Sequence, residues 1–186
     1  MCGIAGILNT NGSPNSRVLE QMNQCLNHRG PDDDGVFKDG KVGLTHTRLS
    51  IIDLDGGQQP IYNEDESVVV VFNGEIYNHQ ELRNSLTKAG HRFSTDSDTE
   101  VLVHLYEEYG NSFLSQLDGM FAFALWDRDK ERLLLARDPM GIKPLYIGHS
   151  DGSYYFGSEL PAILSSNIDH GGLSRTAIGL YFAFGF

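Results

Sequence analysis

The second residue of the chain is a cysteine, Cys2. Removal of Met1, which a small second residue favours, would leave a thiol and a free α-amine on the same carbon. An α-amine has a pKa of about 7.7–8.0, against about 10.4 for lysine. It can be neutral near physiological pH and take the thiol proton, directly or through a water, which activates a nucleophile with no histidine. The alternative for Cys2 is a cysteine buried at the start of a strand. Acyl transfer also needs donors aimed at a developing oxyanion. Asn73-Gly74-Glu75 follows the apolar run Val68 to Phe72 and would set a side-chain amide and the next backbone N–H at one point. Gly74 would let the chain turn and let a substrate approach the backbone; an ordinary Asn-Gly turn is the alternative. Arg48 stands in the largely uncharged extended segment Val42 to Ile52. Its guanidinium needs an anion there, either a substrate carboxylate held in a bidentate fork or a structural ion pair. Asp98, in Ser97-Asp98-Thr99-Glu100, suits a ligand ammonium or simply the positive end of a helix dipole.

Other candidates carry less chemistry. Cys25 and His28 are three apart near a helix end and could face each other, but Cys25 falls on the apolar stripe and reads as a core thiol. The seven histidines show no metal-ligand spacing, and there is no HxxxH or CxxC, so no metal is expected. A phosphate-cradling GxxxxGK[ST] loop, a Rossmann glycine pattern and a Ser-Gly-Gly tripeptide are all absent. No cofactor is expected in this chain.

The elements that must position these residues are short. Gly3 to Leu8 reads as a buried strand. Val18, Leu19, Met22, Cys25 and Leu26 recur at helical spacing after a cap at Asn15 or Ser16. Phe37 to Val42 is a hairpin signal. The β-branched run Val68 to Phe72 suits a strand buried on both faces. Helices are expected from Gln80 to Ala89, ending at Gly90, and from Ser97, with Ser97 and Glu100 as a capping box, to Gly110. Short strands follow at Phe121 to Trp126, Arg132 to Ala136, Leu145 to Gly148 and Tyr154 to Phe156, separated by turn clusters at Asp127 to Lys130 and Ser150 to Ser153. Ser174 to Phe186 reads as a last helix ending on an aromatic run. Hairpins imply antiparallel sheets, which helices must cover, so the fold class is α+β.

Composition bounds the partners. The 186 residues suit one domain, and the net charge of −11 argues against nucleic acid, because phosphate binding needs clustered Lys and Arg. No stretch approaches the roughly 20 apolar residues of a membrane span, and no signal peptide is seen. Two cysteines make no disulfide framework, and a reducing cytoplasm is the expected compartment.

Together these residues resemble the class II glutamine amidotransferases, a branch of the N-terminal nucleophile hydrolases, and specifically the N-terminal domain of glutamine-dependent asparagine synthetases. The motifs are MCGIAGI at 1–7, HRGPD at 28–32, HTRLSIIDL at 46–54, GQQP at 57–60, FNGEIYN at 72–78, SDTEVL at 97–102, LDGMFAFALWD at 117–127, RDPMGIKPLY at 137–146 and FGSE at 156–159. Asp33, where the family usually has Gly, and Pro161, where a lysine is common, depart from the pattern.

The resemblance implies a four-layer αββα sandwich of two antiparallel sheets, with an amidotransferase domain over 2–170 and the start of a linker over 171–186. It implies hydrolysis of L-glutamine to glutamate and ammonia through a Cys2 thioester. Asn73 and Gly74 would hold the oxyanion, Arg48 the α-carboxylate and Asp98 the α-ammonium, while the Ile51-Ile52 backbone and Glu75 line the pocket. An ATP- and Mg-dependent synthetase domain, absent from this chain, would use the ammonia to amidate aspartate. Amidation of another carboxylate such as a sugar acid, a catalytically silent docking domain, and a peptide-cleaving or self-processing hydrolase are the alternatives. A homo-oligomer is allowed.

Overall fold

The computed structural model describes residues 1–50, 56–166, 168, 171–172 and 174–185. Chain order begins with β1 (Gly3–Asn9), α1 (Ser16–Cys25) and the hairpin β2 (Asp33–Asp39) and β3 (Val42–Arg48). A two-residue strand β4 (Ile61–Tyr62) then leads into β5 (Val68–Ile76), followed by α2 (His79–Ala89) and α3 (Val101–Tyr109). Two hairpins close the fold, β6 (Gly119–Asp127) with β7 (Arg132–Arg137) and β8 (Tyr146–Ser150) with β9 (Ser153–Gly157), before α4 (Leu160–Leu164) and α5 (Arg175–Phe184).

The strands make two antiparallel sheets, ordered β2-β3-β1-β9-β8 and β4-β5-β6-β7. Side-chain alternation divides their residues among three cores. Val69 and Val71 of β5 and Ala122, Ala124 and Trp126 of β6 meet Ile4, Val42 and Leu44 between the sheets. Their neighbours Val68, Val70 and Phe72, with Phe121, Phe123 and Leu125, face outward under Leu102 and Leu105 of α3. On the far side Ala5 and Ile7 pack against Leu19 and Met22 of α1 and Ala162 of α4. Helix, sheet, sheet, helix is the four-layer α+β sandwich. Both faces of β5 are buried, so a one-residue slip against β6 would exchange two cores at once, and the register is fixed.

Local signals explain most element ends. The Asn15 side chain caps α1 by accepting from the Arg17 N–H at 2.9 Å. α2 stops at Gly90, whose φ of 113° lies in the left-handed region that glycine reaches without steric cost. Pro161 lies in the first turn of α4, where its missing N–H leaves no hydrogen bond unmade.

Two expectations need correction. Asn73-Gly74 is not a turn: β5 runs through it to Ile76, with Asn73 opposite Ala122 and Gly74 opposite Phe121. Gly74 serves close approach instead, since a Cβ there would lie 2.3 Å from the Met120 carbonyl oxygen. The capping box is only half made. Ser97 accepts from the Thr99 N–H at 3.2 Å, but Glu100 turns away to accept from the Ser94 and Thr95 backbone N–H groups, each at 2.7 Å. The first turn, Asp98–Glu100, is 3₁₀. Ile51 and Ile52 lie outside the described residues. Among the described residues no helix is long and apolar enough to cross a membrane.

Candidate active site

The pleat brings the candidate residues to one end of the sandwich. Cys2 extends the β1 face that carries Ile4, and Arg48 extends the β3 face that carries Leu44 and His46. Asn73 continues the face of β5 on which Val69 and Val71 meet the other sheet. Cys2 and Arg48 from one sheet and Asn73, Gly74 and Glu75 from the other line a single cavity of about 110 Å³, with Asp98 in its wall. That is well below the roughly 300–1,000 Å³ of sites for drug-sized ligands. The recess suits a ligand of few heavy atoms.

Cys2 is held from several sides. The Leu49 N–H points at its Sγ at 3.4 Å, and the Sγ lies 3.7 Å from the Leu49 carbonyl oxygen. Its carbonyl accepts from Arg29 Nε at 2.9 Å, and Arg29 is fixed in turn by an ion pair with Glu159 at 2.8 Å. Met1 precedes it, 58% exposed, with Lys143 Nζ 3.7 Å from the Met1 sulfur. Cys25 lies elsewhere, against the α1 core, and His28 pairs with Glu159.

Asn73 is buried, and among the described residues its Nδ2 has no hydrogen-bond partner. A buried unsatisfied donor costs about 1–3 kcal/mol, and such a group in a cavity wall is ready for an acceptor that the ligand brings. Just upstream, the Gln59 side chain pairs with β5 as a strand would. Its Oε1 accepts from the Phe72 N–H at 2.7 Å and its Nε2 donates to the Phe72 carbonyl at 3.3 Å. That fastens the 57–60 loop against the residue before Asn73.

The site's charges are mixed. Arg48 is buried at the end of β3. Asp98 accepts from the Ile76 N–H at 2.9 Å, yet burial, aided by the neighbouring Glu75 charge, raises its pKa above the ordinary carboxylate value. Next to Arg48, burial lowers the pKa of His46 to about 3, so that ring is neutral at physiological pH. Lys143, buried, adds a second cation to the wall. A guanidinium and a buried carboxylate in one small recess match a zwitterion.

The sequence reading missed Lys143, Gln59 and the Arg29–Glu159 pair. Lys143 had a signal in Asp138, whose carboxylate collects the N–H groups of Ile142 and Lys143 at 2.8 and 3.0 Å. Arg137 also donates to the carbonyls of Lys143 and Gly141. A loop so heavily tied aims its lysine.

Known proteins were compared with this architecture. The family model for the glutamine amidotransferase domain matches residues 1–186. Asparagine synthetase [glutamine-hydrolyzing] 1 of Bacillus subtilis is 44% identical over 190 residues, covering 100% of this chain and 30% of the relative. Asparagine synthetase [glutamine-hydrolyzing] 2 of Oryza sativa subsp. japonica is 49% identical over 167 residues, covering 88% of this chain and 28% of the relative. The chain thus spans about 30% of the length of the curated relatives it matches. Among solved structures, glutamine phosphoribosylpyrophosphate amidotransferase from B. subtilis, complexed with ADP and GMP, superposes with a TM-score of 0.75 at 25% identity, covering 90% of this chain and 44% of that one. The fold is that of the N-terminal nucleophile hydrolase amidotransferases. By the match over its whole length, this chain belongs to the glutamine amidotransferase domain family.

Proposed function

We propose that this chain, with Met1 removed, hydrolyses L-glutamine to L-glutamate and ammonia through Cys2. The α-amine of Cys2 takes the thiol proton, and the sulfur attacks the γ-carboxamide carbon. The oxyanion that forms accepts from Asn73 Nδ2 and the Gly74 N–H, since fixed donors of this kind need no reorganisation during the reaction. The amine returns its proton to the departing nitrogen, ammonia leaves, and a γ-glutamyl thioester remains. Water, deprotonated by the same amine, cleaves the thioester to glutamate and restores the thiol. Arg48 pairs with the substrate α-carboxylate and Asp98 with its α-ammonium, which offsets the desolvation that Asp98 carries. Glu75 lines the pocket. This hydrolysis requires no metal or cofactor.

One observation carries the reading most: Asn73, whose Nδ2 is unpartnered among the described residues, belongs to the same small cavity as Cys2 and Arg48. The proposal extends to the acceptor. Ammonia would pass to an ATP- and Mg-dependent domain that amidates aspartate, on a longer protein of which this chain is part and which works in the cytoplasm. The relatives' names and lengths support that reading. So does α5, which exposes Leu180, Tyr181, Phe182 and Phe184, an apolar surface of the kind that packs against another domain.

The test is glutamate release from glutamine by the purified chain. Cys2→Ala abolishes it and Cys25→Ala does not. A glutamine-like electrophile leaves one adduct, mapped by intact mass to an N-terminal residue that is Cys2. Turnover by Cys2→Ala, or by a chain that keeps Met1, would overturn the mechanism.

A further inference from the structure

Far from Cys2 along the chain, four side chains converge that the function above does not use. Glu64 lies in the turn between β4 and β5, His91 just after α2, and His104 and Glu107 on α3. Their ligand atoms all lie within 4.8 Å of one another. We propose that Glu64, His91, His104 and Glu107 form a structural site for one divalent cation of the zinc type.

The distances favour coordination over simple ion pairing. His104 Nδ1 is 3.3 Å from both Glu64 and Glu107, and His91 Nδ1 is 3.5 Å and 3.8 Å from the same two carboxylates. Charge-assisted hydrogen bonds close to about 2.7–2.9 Å, whereas ligands at about 2.0–2.2 Å from a tetrahedral ion stand roughly 3.3–3.5 Å apart. The far side of the His91 ring agrees. His91 Nε2 meets Glu108 at 3.1 Å and His104 Nε2 faces Glu100 at 3.7 Å. Donation of the His91 Nε2–H to Glu108 leaves the His91 Nδ1 lone pair aimed inward, the outer-shell arrangement typical of metal-ligating histidines, while His104 Nε2 makes no hydrogen bond among the described residues. The carboxylates are braced as well, Glu64 by the Arg92 backbone N–H at 2.8 Å and Glu107 by Asn63 Nδ2 at 2.9 Å. With both imidazoles neutral and protonated at Nε2, two nitrogen lone pairs and two carboxylates would make a centre of acceptors only. Among the described residues, the ion-pair partners of Glu64, Glu100, Glu107 and Glu108 are these imidazoles, not Lys or Arg.

His104 is fully buried while Glu64 and Glu107 are partly exposed, so an ion can enter from solvent and meet a rigid inner wall. Four protein ligands leave no open position, which marks a structural rather than a catalytic site. A bound ion would tie the 62–64 turn and the 91–94 loop to α3, beside the 3₁₀ turn that carries Asp98.

The test uses the tag-free 186-residue chain carrying Cys2→Ala and Cys25→Ala, so that no thiol binds the probe, dialysed against a chelator and titrated calorimetrically with Zn²⁺ alone. Stoichiometric binding is expected, with an unfolding midpoint that climbs with Zn²⁺ concentration. Glu108→Gln, which touches only the outer nitrogen of His91, weakens binding about 10–100-fold. His91→Gln and Glu107→Gln abolish it while circular dichroism stays native. Absence of stoichiometric binding, or equal binding by the Glu107→Gln and parent chains, would overturn the site. The readout is independent of glutamine turnover.

Discussion

Replacing Asn73 by leucine separates catalysis from stability. The amide is buried, its Nδ2 has no partner among the described residues, and leucine matches its shape without the donor. Losing one oxyanion donor costs about 10²–10³-fold in kcat, or about 2.7–4 kcal/mol of transition-state stabilisation. The resting protein loses nothing of the kind. Removing the unsatisfied donor recovers up to about 1–3 kcal/mol, and in a domain of this size each kcal/mol moves Tm by about 2–4 °C. Asn73→Leu should therefore be far slower, with KM little changed, and equally or more thermostable than the parent. Initial rates in a coupled glutamate assay and calorimetric unfolding measure the two halves. If Asn73→Leu kept its kcat, or unfolded at lower temperature, the amide would be a structural group and the oxyanion argument would fail.

Further outcomes follow from other residues. Arg48→Lys keeps the charge but loses the fork; with charged hydrogen bonds worth about 1.5–3 kcal/mol, KM for glutamine should rise roughly 10–150-fold with less effect on kcat, in steady-state kinetics. Gly6→Ala places a Cβ 2.5 Å from the Gly43 carbonyl oxygen and from the Phe156 ring. Overpacking of this sort costs about 1–3 kcal/mol, read as a lower urea midpoint. Burial opposes the charge on Glu159, but the hydrogen bonds and charges of Arg29 and His28 outweigh it and hold its pKa below 4.5. A depressed carboxylate stabilises above its unfolded value and loses that contribution as pH falls through the folded one. The stability gap between the parent and Glu159→Gln should thus be flat at neutral pH and close below pH 4.5, in urea titrations across pH.

Much of this was legible in the sequence, because period and punctuation are local. Val68 to Phe72 announced a doubly buried strand, Asn15 and Gly90 marked helix ends, and the strands from Phe121 onward fell where their turn clusters put them. Cys2, Arg48, Asn73, Gly74 and Asp98 do share one cavity. Pairing across the chain overruled local signals elsewhere. Asn73-Gly74 reads as a turn until β6 supplies a partner on every residue. Glu100 fits a capping box until Ser94 and Thr95 offer it two backbone and two hydroxyl donors. Arg29 and Glu159 stand 130 positions apart, and His91 and His104 come from different elements. No spacing rule reaches that far.

The order of the larger sheet sets when the strand that follows Cys2 is fully supported. β1 is its middle strand, flanked by β3 on one side and by β9, residues 153–157, on the other. Residues 3–9 must therefore wait for residues 153–157 before both of their edges are paired. Contacts of such long sequence separation form slowly. A nascent or truncated chain that stops short of β9 would carry the Cys2 thiol on a half-supported ribbon, so under the proposed mechanism competence to release ammonia arrives only when the domain closes.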